Sequence, residues 1–190
     1  MRLVAKLVDI ISLINLGIGR LFSWLSLGIV AVCFTVVVQR YVFSTSYVWM
    51  QDLYIWLNGA MFTAVAGFAL LRDDHVRVDI YYRPASMRTK AVVDLIGVCA
   101  FLLPFTGVVF LYSLPFVQRA WTYHEASANV GGMPGLFILK TFIIGFAILL
   151  ALQGVAMVLR SVLILGGQAD LVPERMRYPD HAKPVAGTVS

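Results

Sequence analysis

The sequence predicts an all-α integral membrane protein with four transmembrane helices, on the basis of its composition, its charge-free runs and its charge asymmetry. Of its 190 residues, 60% are hydrophobic and 13% are charged, and the mean hydropathy is +0.84. A chain of this size cannot bury that much apolar surface in one soluble core. The lipid bilayer is therefore the expected environment.

Four charge-free runs are long enough to cross a bilayer, namely residues 21–39, 53–71, 95–118 and 141–159. The second run has 19 residues, which would span about 28 Å as a helix. Backbone polar groups in lipid must pair within their own segment, so we expect helices rather than strands. The predicted spans are about 20–41, 50–71, 93–117 and 136–165.

The spans form one predicted domain, residues 1–165, and the polar residues 166–190 are predicted to be a disordered cytoplasmic tail. With the N-terminus in the cytoplasm, 12 basic residues lie inside and only Arg40, Arg119 and Lys140 lie outside. This asymmetry predicts that both termini are cytoplasmic. Because the positive charges follow the membrane, the net charge of +5 does not indicate a nucleic-acid partner.

Residues 1–19 have two interpretations. Polar residues recur there at helical spacing, with leucine and isoleucine on the opposite side: Arg2, Lys6, Asp9, Ser12 and Asn15. The segment either lies along the inner leaflet as an amphipathic helix or extends the first span into the cytoplasm. The periodicity favours neither.

The sequence carries no pattern of a known catalytic centre. His75, His124 and His181 lie in predicted loops or in the tail, where they cannot ligate a haem between spans. Cys33 and Cys99 lie in predicted spans and form no CxxC pair. Neither a phosphate-binding glycine loop nor a metal-ligand cluster occurs. We therefore predict no enzymatic activity, no cofactor and no metal.

Two acids mark the ends of predicted spans. Asp52 lies at the outer start of the second helix, where Arg40 across the hairpin is the expected partner. We favour a structural role over ion translocation because no charge lies at mid-membrane. Asp94, at the inner end of the third span, is expected to pair with one of the nearby bases Arg72, Arg88 and Lys90.

Amide and small residues inside the spans predict contacts between helices. Asn58 and Gln153 are the amide side chains set well inside spans, and interhelical hydrogen bonds are their expected role. On the second helix, Gly59, Thr63 and Gly67 recur every four residues and would let another helix approach closely.

Several motifs surround the second span: Arg40-Tyr41-Val42-Phe43, Trp49 with Asp52, Gly59-Ala60, and Arg72, His75, Val78 and Asp79. In this order the chain resembles, over about residues 20–160, the small (Q-type) membrane subunit of tripartite ATP-independent periplasmic transporters, the TRAP family. The family shows Trp-x-Glu-Glu at this helix start, whereas this chain has Trp49-Met50-Gln51-Asp52. The resemblance therefore implies one anchor acid here rather than two.

A second block, Glu125-x-Ser127-x-Asn129-x-Gly131-Gly132-Met133-Pro134, is followed by Lys140 and Gln153. It resembles a branch of the family that is associated with aromatic, sugar-alcohol or 2-oxo acid uptake. The resemblance implies an inner-membrane location, a large sodium- and substrate-binding permease as partner, and a periplasmic binding protein that delivers the solute.

The expected function is that of a non-catalytic scaffold, which supports the large permease and helps dock the binding protein during uptake of an organic acid or similar solute. An autonomous small channel or a membrane assembly factor is the alternative. The candidate anchors for partners or structure are Arg40, Trp49, Asp52, Trp56, Asn58, Gly59, Arg72, His75, Asp79 and Glu125.

Overall fold

The computed structural model describes residues 2–72, 82 and 84–178, and these residues contain helices and no strands. The α-helices are α1 (Arg2–Ser23), α2 (Leu25–Val42), α3 (Val48–Leu71), α4 (Met87–Gly97), α5 (Leu103–Thr122) and α6 (Leu136–Leu165). Only a turn at Trp24 separates α1 from α2, and a π-helical turn, Val98–Leu102, joins α4 to α5.

Four continuous helices result, and each is long and apolar enough to cross a membrane: Arg2–Val42, Val48–Leu71, Met87–Thr122 and Leu136–Leu165. The prediction of an all-α protein with four transmembrane helices is confirmed. We call the end of the bundle with the connections 43–47 and 123–135 the loop end. The opposite end, which carries the start of α1 and the segment after α6, is the terminal end.

Helix α6 lies at the centre of the bundle and packs against α1, α3, α4 and α5, whereas α2 packs chiefly on α3. Its 30 residues extend over about 45 Å. The largest apolar cluster lies in the half of α6 nearest the terminal end, where Leu150, Met157 and Leu163 contact buried residues of the other helices. This end of the bundle therefore holds the core.

Two glycines permit close approach of helices. A Cβ at Gly67 of α3 would lie 2.2 Å from Asn15 Oδ1 and 3.2 Å from the backbone oxygen of Leu149. A Cβ at Gly59 would meet only the Leu139 side chain, at 3.3 Å. The predicted small-residue face is therefore in use, and Gly67 is its tightest point.

The π-helical turn in the third span packs against a third glycine. In this turn the Leu103 N–H donates to the Val98 carbonyl, five residues back. Pro104 follows directly and has no N–H to continue the α-helical pattern. The widened turn contacts α6 at Gly154, where an added Cβ would lie 3.0 Å from Leu102 Cδ2.

The charged residues Arg2, Lys6 and Arg20 of α1 are exposed, whereas two of its uncharged polar residues are buried. Ser12 and Asn15 are fully buried against the bundle, whereas Leu3, Ile10 and Leu13 are exposed. In lipid, polar groups gain by pairing between helices, and apolar side chains face outward at no cost. Since α1 packs on α3 and α6 and continues into α2 through one turn, it is part of the helix bundle.

In the segment after α6, residues 166–178 fold against the bundle, although the composition of residues 166–190 is typical of disorder. Two 3₁₀ turns, Ala169–Leu171 and Glu174–Met176, bring Val172, Met176 and Tyr178 into buried positions at the terminal end. Three buried apolar or aromatic side chains provide the burial that a polar tail would lack. Residues 179–190 lie outside the described part of the chain.

Candidate functional site

At the loop end, the sequence-predicted acid Asp52 is the centre of a hydrogen-bonded site. Asp52 is 5% exposed and sits in the second turn of α3, with its carboxylate turned toward the 123–135 connection. Its Oδ1 accepts from Asn129 Nδ2 at 3.0 Å, and its Oδ2 accepts from the Met133 backbone N–H at 3.0 Å. The Ser127 side chain is a further hydrogen-bond partner. We call these four residues with Gly132 the Asp52 site.

The connection is shaped to bring backbone close to this carboxylate. The Ser127 N–H donates to the Met133 carbonyl at 3.0 Å, and the Gly132 N–H donates to the Asn129 carbonyl at 2.9 Å. A Cβ at Gly132 would lie 2.4 Å from Asp52 Oδ2 and 2.7 Å from Ser127 Oγ. Only glycine fits at this position, because any side chain would displace the carboxylate or the serine.

Two further sets of contacts reach the start of α6, one from the connection and one from the end of α5. Glu125 forms an ion pair with Lys140, whose ammonium also lies 4.0 Å from the centre of the Phe116 ring. Trp121 Nε1 donates to Thr141 Oγ1 at 2.9 Å, and the Trp121 ring packs edge-on against Phe137. Polar contacts therefore hold the 123–135 connection on α3 and α6, and polar and aromatic contacts join α5 to α6 beside it.

At the terminal end, Asp94 and Arg160 form a buried ion pair. Arg160 Nη2 lies 2.5 Å from Asp94 Oδ2, and the two side chains are 3% and 6% exposed. Tyr82 and Tyr178 hydroxyls lie 2.9 Å and 2.8 Å from the same carboxylate oxygen. Arg160 Nη1 also donates to the Met176 carbonyl at 3.3 Å. We call these five residues the Asp94 network.

Tyr178 closes the network over the arginine. The Arg160 guanidinium carbon lies 4.4 Å from the centre of the Tyr178 ring, and Lys90 Nζ lies 5.9 Å from the same centre. Burial raises the pKa of the Tyr178 phenol well above its ordinary value, with the Asp94 charge adding to the effect. The phenol therefore stays protonated and donates its hydrogen to Asp94.

Both acids have partners other than the expected ones. Arg40 is exposed on the last turn of α2, while Asp52 lies on the buried face of α3. The predicted Asp52–Arg40 pair is therefore wrong. The predicted pairing of Asp94 with Arg72, Arg88 or Lys90 is also wrong, because the partner is Arg160 on α6. In each case a buried carboxylate is satisfied by groups that lie far away in sequence.

The remaining predicted anchors are spread over the molecule. Trp49 and Asn58 are exposed, Trp56 and Gly59 are half-buried, and exposed Arg72 stacks on the Phe68 ring at 4.8 Å. His75 and Asp79 lie outside the described residues. Of the eight candidates that the structure describes, Asp52 takes part in the Asp52 site and Glu125 lies beside it.

One predicted amide forms the expected interhelical bond. Asn15 Nδ2 donates to Gln153 Oε1 at 3.1 Å, both side chains being buried, and Gln153 Nε2 lies 3.4 Å from Met176 Sδ. Asn58 has no hydrogen-bond partner among the residues that the structure describes. Sequence reasoning missed Asn15 as the partner because its polar periodicity is equally typical of a helix on the membrane surface.

Comparison with known proteins gives the family. A sequence model described as "Tripartite ATP-independent periplasmic transporters, DctQ component" matches residues 29–163, well over half of the chain. The chain belongs to this family. Neither the curated proteins nor the solved structures include a significant match.

Membership makes the chain a DctQ component, the small permease subunit of a TRAP transporter. The family and the four apolar helices together indicate a multi-pass protein of the inner membrane. TRAP systems also contain a large permease and a periplasmic binding protein, with which the DctQ component associates. The match covers the Asp52 site and the Asp94–Arg160 pair, so both belong to the family region of the chain.

Proposed function

We propose that this DctQ component is the non-catalytic scaffold of a sodium-coupled importer for an organic acid or similar small solute, with both termini in the cytoplasm. In this role it supports the large permease and helps dock the binding protein. One observation carries the proposal. The carboxylates of both buried acids, Asp52 and Asp94, bind groups of other elements and so stabilise the fold. A carboxylate already held by several donors is less suited to bind sodium or a solute.

An exposed polar residue on α3 supports a contact with the large permease. Ile55, Asn58 and Phe62 lie on one exposed stripe of α3, at i, i+3 and i+7 spacing. An amide that faces hydrocarbon without a partner is unfavourable, and a polar group of another membrane protein would satisfy it. We therefore propose this stripe as part of the surface that the permease covers.

The ordered loop end supports a role in docking the binding protein. The contacts around Asp52 and Lys140 hold the 123–135 connection on the bundle. The same connection exposes Tyr123 (74%) and Val130 (97%) to the surroundings. Rigid, exposed aromatic and apolar side chains are typical anchors of protein–protein contacts.

The test is uptake into proteoliposomes that contain the large permease, with the binding protein loaded with candidate aromatic, sugar-alcohol and 2-oxo acids. We expect sodium-dependent uptake only when this chain is present. Full-rate uptake by the large permease alone would refute the scaffold role. Ion currents from the purified chain alone would instead favour an autonomous channel. Labelling of single cysteines at the two termini from the cytoplasmic side tests the orientation.

A further inference from the structure

A cavity of about 380 Å³ opens at the terminal end, where α1, α3, α6 and the segment after α6 meet. Five arginines line it: Arg20, Arg72, Arg160, Arg175 and Arg177. Its other lining side chains, Leu16, Leu71 and Met176, are apolar. No acidic side chain of the described residues lines the cavity, which is therefore strongly cationic with an apolar floor.

Only part of this positive charge is neutralised within the described structure. Arg160 is paired with Asp94, and Arg175 is paired with Asp9 at 3.0 Å. Arg20 and Arg72 have no ion-pair partner among the described residues. Within the described part of the chain, Arg177 donates to two backbone carbonyls, those of Val172 and Asp170. Among the residues that the structure describes, Arg20, Arg72 and Arg177 thus have no acidic partner.

Arg160 adds an independent indication that the cavity is built for an acceptor. The side chain is 3% exposed, and its Nε has no hydrogen-bond partner in the described part of the chain. A buried, unsatisfied donor is costly and needs an explanation. A bound anion in the cavity would offset the electrostatic repulsion between Arg160 and the four other arginines.

The depth of the cavity identifies the kind of anion. Arg20, Arg72 and Arg160 each stand at the end of a charge-free run that is long enough to cross the hydrocarbon region. The ends of these runs place the three arginines at the level of the lipid headgroups, and Leu16 and Leu71 add apolar side chains to the cavity lining. Basic pockets between transmembrane helices are suited to the phosphate of an anionic lipid.

We propose that this cavity binds the phosphodiester headgroup of an anionic phospholipid of the phosphatidylglycerol or cardiolipin type. Guanidinium groups match phosphate oxygens in a planar, two-pronged geometry, which favours arginine over lysine here. The lipid would join α1, α3, α6 and the ordered tail at one point. This binding goes beyond the scaffold role and does not depend on it.

The experiment measures phosphatidylglycerol binding to the purified full chain in neutral detergent, by native mass spectrometry and by the rise in Tm. The test variant is Arg20→Gln/Arg72→Gln, because both side chains are exposed and neither has a polar partner among the described residues. Arg40→Gln/Arg119→Gln removes the same charge at the loop end and is the matched control. We expect the test variant to bind phosphatidylglycerol about 30-fold more weakly, at about one factor of five per arginine.

Three outcomes separate the possibilities. Retained affinity in the control with loss in the test variant supports the site. Equal losses in both double variants would reduce the effect to net charge and overturn the proposal. A Tm rise with millimolar inorganic phosphate as large as that with phosphatidylglycerol would assign the cavity to a soluble anion and overturn the lipid assignment. Phosphatidylcholine serves as the lipid without net charge and should give no rise in any variant.

Discussion

The Asp52 carboxylate accepts a hydrogen bond of 3.0 Å from the backbone N–H of Met133, which lies 81 positions later in the chain. This bond joins the start of α3 to the connection before α6. It brings the two blocks of family motif residues, at Trp49–Asp52 and at 125–134, into one structure. The acid at the helix start and the glycine pair of the connection therefore act together.

Replacement of this acid should loosen the loop end. In Asp52→Ala, Asn129 and the Met133 N–H lose their acceptor, at a cost of about 1–3 kcal/mol. We expect faster hydrogen exchange over residues 125–135 and a higher binding-protein concentration for half-maximal uptake, with the sodium dependence unchanged. Gln51→Ala is the control, because Gln51 bonds only to the exposed Ser46 hydroxyl. An unchanged loop with altered sodium dependence would contradict the assignment.

The Asp94–Arg160 pair should behave as a coupled unit. Asp94→Leu or Arg160→Met alone leaves one charge buried without its partner, and we expect each to destabilise the protein by about 3–5 kcal/mol. The double variant removes both charges and should be less destabilised than the sum of the two. Unfolding of the purified protein in detergent measures the cycle. Strict additivity would show that the ion pair makes no energetic contribution of its own.

The contact at Gly67 should not tolerate a methyl group. In Gly67→Ala the new Cβ meets Asn15 Oδ1 and the Leu149 carbonyl, so α1 or α6 must move, at a cost of about 1–3 kcal/mol. Gly145→Ala is the matched control in α6, since nothing lies within 4 Å of its added Cβ. This control should be neutral or stabilising by up to about 1 kcal/mol. Equal Tm values for both variants would contradict the close packing.

Met176 and Tyr178 in the segment after α6 should stabilise the bundle. Truncation after Gln168 removes Met176 and Tyr178 from the Asp94 network, and we expect Tm to fall by about 5 °C or more. Truncation after Tyr178 keeps both side chains in the Asp94 network and should lower Tm by less. Thermal unfolding of the two shortened proteins distinguishes them. The interpretation fails if the protein that ends at Tyr178 is destabilised as much as the protein that ends at Gln168.

The exposed amide of α3 should matter for assembly and not for folding. Asn58→Leu replaces an unpartnered polar side chain with an apolar one, so the isolated chain should keep or raise its Tm. We expect less of the large permease to copurify with this variant. Ile55→Leu on the same stripe, which changes only the shape of an apolar side chain, is the control. Normal copurification of the permease with Asn58→Leu would exclude this stripe from the interface.

The sequence by itself determined the solvent and the number of helices, because runs without charge can be stable only in hydrocarbon and their backbone can be satisfied there only as helices. It also identified Asp52 and Asp94 as acids at the ends of spans. It could not identify the partners of these two acids, because each acid has several bases or amides nearby in sequence. Which of them pairs with the acid depends on which face of each helix is buried. For Asp52 the local candidate was Arg40, which the rotation of α2 turns outward.

Only the tertiary structure decided which polar groups meet. The polar stripe of α1 has the same periodicity whether it faces water or another helix. The hydrogen bond from Asn15 to Gln153 shows that Asn15 faces another helix. Arg160 lies 66 positions from Asp94, and the packing of α4 and α6 brings the two together. Local periodicity specifies that a face exists, whereas the packing of other helices against that face specifies what it contacts.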